Sequence, residues 1–140
     1  MLARGTDVAR WNSQQAVRVD AYVVGVTLGP PESCNCGAQD ERHRDIHLEL
    51  ALSPTEVRGW RIVVAEVTPR WRGALLAGRW DQSFEGLRQT ILGKQVRVAG
   101  WLLFDHEHAR NARNTAKPGK GNARATAWEI HPVTSLELFK

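Results

Sequence analysis

Apolar and polar residues alternate from Ala16 to Leu28, where Val17, Val19, Ala21 and Val23 are interleaved with Arg18, Asp20 and Tyr22. A period of two places successive side chains on opposite faces of an extended chain, so this segment is expected to form a long first strand. Gly25 within it marks a bulge or bend, because glycine in a strand permits close backbone approach or curvature. Gly29-Pro30-Pro31 ends the pairing. Alternation returns from Asp45 to Leu52, with Ile46, Leu48, Leu50 and Leu52 on one face and Asp45, His47 and Glu49 on the other. The aliphatic face belongs to the core. Trp60 to Val67 is rich in β-branched residues and supplies a third strand, with Glu66 near its end and Pro69 as its stop. The period then changes. Phe84, Leu87 and Ile91 recur at helical spacing between a capping Asp81 or Ser83 and a closing Gly93, which predicts a short helix over Asp81 to Leu92. Val96 to Phe104 returns to period two, and a polar loop runs from His106 to about Gly121. Ala123 to Phe139 is the last extended segment, interrupted at Pro132, where a missing ladder donor marks an edge or a bend.

Three strands, one helix and two strands, in that order, match the OB-fold, a five-stranded, partly open barrel. A glycine in a long first strand and a short helix plugging one end suit a small barrel that must curve and close. The alternative is a small α+β split barrel. The barrel is expected over residues 16–140, behind an irregular lead-in over residues 1–15 whose Trp11 tucks against the domain.

At 140 residues, 42 % hydrophobic and 24 % charged, the chain has the length and composition of a single soluble domain. Its longest apolar runs, such as Ile62 to Ala65 and Trp101 to Phe104, are far too short to span a bilayer, which excludes a membrane helix. Arg4, Asp7 and Arg10 lie in a lead-in with no apolar core, so no secretory signal is read and the cytoplasm is the default expectation. Cys34 and Cys36 are too close in sequence for an unstrained disulfide, which leaves two free thiols or two metal ligands.

A formal charge of +4 favours anionic partners, and its distribution narrows the choice. Between Ala109 and Trp128 there is no acidic residue, while Arg110, Arg113, Lys117, Lys120 and Arg124 all fall there. The OB-fold ligand face lies on the second and third strands, flanked by the loops between strands one and two and between strands four and five. Here those loops are Gly29 to Arg44 and Asp105 to Gly121. Cations in the second loop predict a phosphate-bearing partner, most simply single-stranded DNA or RNA. Trp60, Trp71, Trp80 and Trp101 are candidate stacking surfaces beside it, with Trp101 assigned to the interface. The competing reading is a solvated loop whose charge serves solubility.

Three motifs pair carboxylates with histidines: Asp45-Ile46-His47, Phe104-Asp105-His106-Glu107-His108 and Trp128-Glu129-Ile130-His131-Pro132. Residues two apart share a strand face, so Asp45 stands beside His47 and Glu129 beside His131. Such a set can brace loops by hydrogen bonding. It can also hold Zn²⁺ or another divalent transition metal, with His47, His108 and His131 as ligands and Asp45, Asp105 and Glu129 as further ligands or orienters. Acid–base catalysis without a metal would draw on His47, Asp105, Glu129 and His131. A Cys₂His₂ set of Cys34, Cys36, His106 and His108 is disfavoured by the cysteine spacing. No nucleophile motif accompanies these residues, so metal-activated water attacking a phosphodiester is the most coherent catalytic proposal. The expected function is nucleic-acid binding at the barrel mouth; the alternatives are a metal-dependent phosphodiesterase or nuclease and a structural or protein-interaction module.

The run from Asp45-Ile46-His47-Leu48-Glu49-Leu50 through Glu66 to Gly100-Trp101-Leu102-Leu103-Phe104-Asp105-His106-Glu107-His108 and Glu129-Ile130-His131-Pro132-Val133-Thr134 resembles a group of small, uncharacterised bacterial OB-fold-like proteins. Their shared pattern is an Asp-x-His strand, a Phe-Asp-x-x-His loop entrance and a final Glu-Ile-His-Pro-Val strand, and the likeness extends from about Val17 onward. The resemblance implies the barrel and these site residues; it implies no reaction.

Overall fold

In the computed structural model the described residues are Met1, residues 7–56, Gly59, residues 61–115 and residues 123–139. Five strands form: β1 (Ala16–Leu28), β2 (Ile46–Ala51), β3 (Val63–Val67), β4 (Gln95–Phe104) and β5 (Trp128–Leu138), with helices α1 (Pro69–Leu76) and α2 (Phe84–Ile91) between β3 and β4. The strands close into a barrel in the order β1-β2-β3-β5-β4. Every neighbouring pair is antiparallel except β3 with β5. This is the OB-fold-like barrel that the element order predicts, mainly β with two short helices.

The period-two pattern decides what lies inside. Val23, Val26, Ile46, Leu48, Ala65, Val67, Val96, Val98, Ile130, Val133 and Leu136 fill the core, and Leu75, Leu76, Leu87 and Ile91 bring both helices against it. Each fully buried aliphatic side chain stabilises the fold by about 1.5–3 kcal/mol relative to an exposed one. The β1–β2 ladder shifts register between Val23 and Gly25, where the Glu49 side chain occupies the space a Cβ on Gly25 would take. The expected bulge is therefore present. At Gly100 a Cβ would lie 2.6 Å from Ile130 Cγ2 and against the Pro132 carbonyl, so β4 and β5 approach this closely only because the residue is glycine.

Several boundaries differ from the sequence reading. The expected helix over Asp81 to Leu92 is confined to α2, with Ser83 accepting a hydrogen bond from the Gly86 amide at 3.0 Å. Pro69 does end β3, but as the first residue of α1, a helix that the mixed run Arg70-Trp71-Arg72-Gly73 conceals. The last strand starts at Trp128; the preceding segment is irregular and ties back through the Ala125 amide to the Ile62 carbonyl at 2.7 Å. Pro132 lies inside β5 opposite the register shifts around Gly100, which accommodate its missing donor. The lead-in is anchored at its described end: Asp7 is fully buried, its carbonyl accepts from Trp128 Nε1 at 2.7 Å, and its carboxylate accepts from the Thr126 hydroxyl. Among the described residues, no helix is long and apolar enough to cross a membrane.

Candidate metal centre

Because Ile46, Leu48, Ala65, Val67 and Ile130 point into the barrel, the residues between them point out. His47 pairs with Glu66 across β2 and β3, and Ala65 pairs with Ile130 across β3 and β5. This register sets His47, Glu66, Glu129 and His131 together on the outer face. That face is only partly open to solvent: Asp105, His108, Asn111, Ala123 and Arg124, between β4 and β5, line a cleft with it, and Glu66 and Glu129 are buried. Asp45 joins from the loop before β2, fully buried, with its carbonyl accepting from the Gly29 amide at 2.8 Å. A side chain on Gly29 would collide with the His47 ring, so glycine there lets the imidazole reach the cluster.

Glu66 is the hub. Its Oε2 lies 3.0 Å from His131 Nδ1 and its Oε1 lies 3.3 Å from His47 Nε2. The second approach has an ion-pair distance without hydrogen-bond geometry, and His47 Nε2 is buried with no hydrogen-bond partner. His131 Nδ1 also lies 3.3 Å from Glu129 Oε1. Glu129 Oε2 accepts from Arg124 Nη1 at 3.1 Å, and Arg124 Nη2 donates to Asp105. Asp105 accepts from the His108 amide at 3.0 Å and lies 2.7 Å from His108 Nδ1. A continuous relay thus runs from His47 to His108 through alternating acidic and basic groups.

Burial opposes the His131 imidazolium, but hydrogen bonds to Glu129 and Glu66, reinforced by their charges, outweigh it and push the pKa up to about 10. Burial likewise opposes the Glu66 carboxylate, yet the His131 hydrogen bond and the adjacent rings hold its pKa below the usual value. Asp105 is held low against burial by Arg124 and the His108 amide. Asp45 and Glu129 shift the other way: burial raises both, and the Glu66 charge adds to it. In chelator-treated protein the His131 pKa, raised from 6.5, contributes stability that is complete below about pH 6.5 and lost as pH rises to about 10. Urea titrations across that window should show stability falling by at most about 1.4 kcal/mol per pH unit. A His131→Gln protein with the same slope would remove this assignment.

One donor each from Asp45, Glu66 and His131 lie within 4.8 Å of one another, close enough to share an ion. Asp45 Oδ2 is buried without a hydrogen-bond partner, while Oδ1 accepts from Asn35 Nδ2 at 3.2 Å. Two carboxylates and an imidazole, with the His47 ring beside them, form a donor set suited to Zn²⁺ or Mn²⁺.

The structure sorts the other candidate residues. Asp45, His47, Glu129 and His131 converge as the sequence motifs imply. His108 does not join the metal donors; it is more than half exposed and pairs with Asp105 at the far end of the relay. Arg124, expected among the exposed cations, is instead buried at 7 % exposure and fixed between two carboxylates. Arg110 is exposed at the end of a short 3-10 turn, and Arg113 donates its amide to the Arg124 carbonyl at 2.9 Å. Lys117, Lys120 and Trp60 lie outside the described residues. Trp101 is 46 % exposed on β4, close in sequence to exposed Leu103. Cys34 and Cys36 are free thiols on an exposed turn, and His106 packs its ring 4.8 Å from Phe104; no Cys₂His₂ group forms among the described residues. Burial and a hydrogen bond to Glu32 raise the Cys34 thiol to about 11.

The residue the motif reading undervalued is Glu66. Its signal was a single carboxylate in the apolar run Ile62 to Val67. Comparison with protein-family models, curated proteins and solved structures found no match.

Proposed function

We propose that this domain is a divalent-metal-dependent phosphodiesterase whose ion is held by Asp45, Glu66 and His131, with His47 at its edge. The observation that carries the reading is that Asp45, Glu66 and His131 each bring a donor atom within 4.8 Å of the others, with Asp45 Oδ2 buried and without a hydrogen-bond partner. A buried carboxylate oxygen without a partner is costly, and a cation held by these three residues would supply one. Ligation displaces the proton that His131 carries between its two carboxylates. A divalent metal held by Asp45, Glu66 and His131 would supply water activation near neutral pH to a chain with no nucleophile motif. Arg124 would keep Glu129 in place beside the His131 ring.

A cleft of about 150 Å³ opens beside the site between His47, Glu49, Glu66, His108, Asn111 and Arg124. It has room for a phosphoryl group and little more. Exposed Arg110 and Trp101 support single-stranded nucleic acid as the substrate, since cations bind phosphates and an indole stacks on bases.

Protein purified without an affinity tag should carry near-stoichiometric metal and cleave single-stranded DNA or RNA, with activity lost on chelation and restored by Zn²⁺ or Mn²⁺. A folded protein that neither contains nor takes up these metals would refute the reading. The second reading, nucleic-acid binding without cleavage, is favoured by the same Arg110 and Trp101. It predicts salt-steep affinity that Arg110→Ala weakens in metal-free and metal-loaded protein alike.

A further inference from the structure

We propose that Asp45 bridges two metal ions, the second being a Zn²⁺-class ion held by Glu32 and the Cys34 thiolate. The inference rests on the metal reading above and extends it to a two-metal centre. Glu32, Cys34 and Asp45 offer donors that all lie within 4.8 Å of one another, and Asp45 is the residue this group shares with the Asp45–Glu66–His131 group. A 3-10 turn over Ser33–Asn35 sets them out: Gly37 donates its amide to the Glu32 carbonyl at 2.8 Å, and Cys34 Sγ lies 3.2 Å from Glu32 Oε2.

Asp45, buried and shared by both groups, links the two positions. It is 1 % exposed, Asn35 takes one of its oxygens, and the other meets no donor. Its surroundings include the Glu66 and Glu32 charges. The Glu66 and Glu32 charges both oppose ionisation of buried Asp45 and the His131 charge favours it, an arrangement that one cation would relieve in part and two more fully. The loop is also prearranged. Buried Arg72 of α1 donates to the Glu41 and Arg44 carbonyls, and Glu41 accepts from the Phe84 amide at 2.6 Å, so the β1–β2 loop is fixed against both helices.

The two positions differ in softness. Oxygen and imidazole donors surround the first, whereas a thiolate at the second selects Zn²⁺ over Mg²⁺ or Mn²⁺. On ligation the Cys34 proton passes to solvent and the sulfur–metal bond forms without any redox change. A pair of ions sharing a carboxylate is the arrangement that clamps both the attacking and the leaving oxygen of a phosphodiester.

Cobalt titration of metal-free protein tests this, because a thiolate–Co²⁺ bond gives a near-ultraviolet charge-transfer band that oxygen and nitrogen donors do not. The wild type should take up two equivalents and show the band. Cys34→Ser should take up one equivalent without the band, and Cys36→Ser should retain both equivalents and the band, with circular dichroism checking the fold. One equivalent and no band in the wild type would overturn the second site and leave the first intact. No binding at all would overturn both. A band that survives Cys34→Ser would overturn the assignment of the thiol.

Discussion

Glu66→Gln should abolish tight metal binding and lower the stability of the metal-free protein by about 2–3 kcal/mol. Breaking a buried ion pair from one side usually costs about 3–5 kcal/mol, because the remaining charge is stranded. Here the stranded groups are His131, left with Glu129 alone, and His47, which loses its neighbour at 3.3 Å. Part of the loss is recovered. The Glu66 charge raises the pKa of both Asp45 and Glu129, so neutralising it eases their ionisation. That relief places the expected value at or below the low end of the range. Urea unfolding in chelator measures the stability change, and titration with Zn²⁺ measures the binding loss, expected to exceed 100-fold because a direct ligand is removed rather than a supporting partner. An unchanged metal affinity would show that the ion, if any, sits elsewhere.

Arg124→Met should destabilise the protein by about 3–5 kcal/mol. Arg124 is the link between Glu129 and Asp105, with Nη1 3.1 Å from Glu129. Methionine keeps much of the packing and removes the charge, leaving a 3 % exposed Glu129 to rely on His131. The matching control is Arg110→Ala. Its side chain is exposed, and such substitutions are usually within about 0.5 kcal/mol of neutral. Thermal unfolding separates the two variants, and equal shifts would contradict the relay. Two arginines that look alike in sequence thus differ in setting: Arg124 is buried between two carboxylates, whereas Arg110 is exposed.

The strands were legible because their apolar positions fall at period two, and the same alternation correctly turned His47 and Glu129 away from the core. Gly25 announced its bulge for the same reason. What the sequence did not reveal depends on register and on loops folding back. Glu66 reads as one acid in a hydrophobic strand until β3 is aligned beside β2, which sets it opposite His47. Arg124 reads as one of several loop cations, since nothing in the sequence shows that it lies between Glu129 and Asp105. Helix α1 was hidden by a proline that both stops a strand and begins a helix. Glu32 and Cys34 are separated from Asp45 by a loop whose path is set by Arg72, a residue of that unforeseen helix.

The parallel contact between β3 and β5 has a single paired position, Ala65 with Ile130, making it the shortest seam of the barrel. Glu66 and His131 are the next residues along the two strands, and their 3.0 Å contact spans that seam on its outer side. The pair is thus a clasp. An ion taking the place of the proton in this clasp, as proposed above, would link occupancy of the site to closure of the cylinder. A barrel that loses its occupant should open here first, between β3 and β5, while the longer antiparallel seams stay joined.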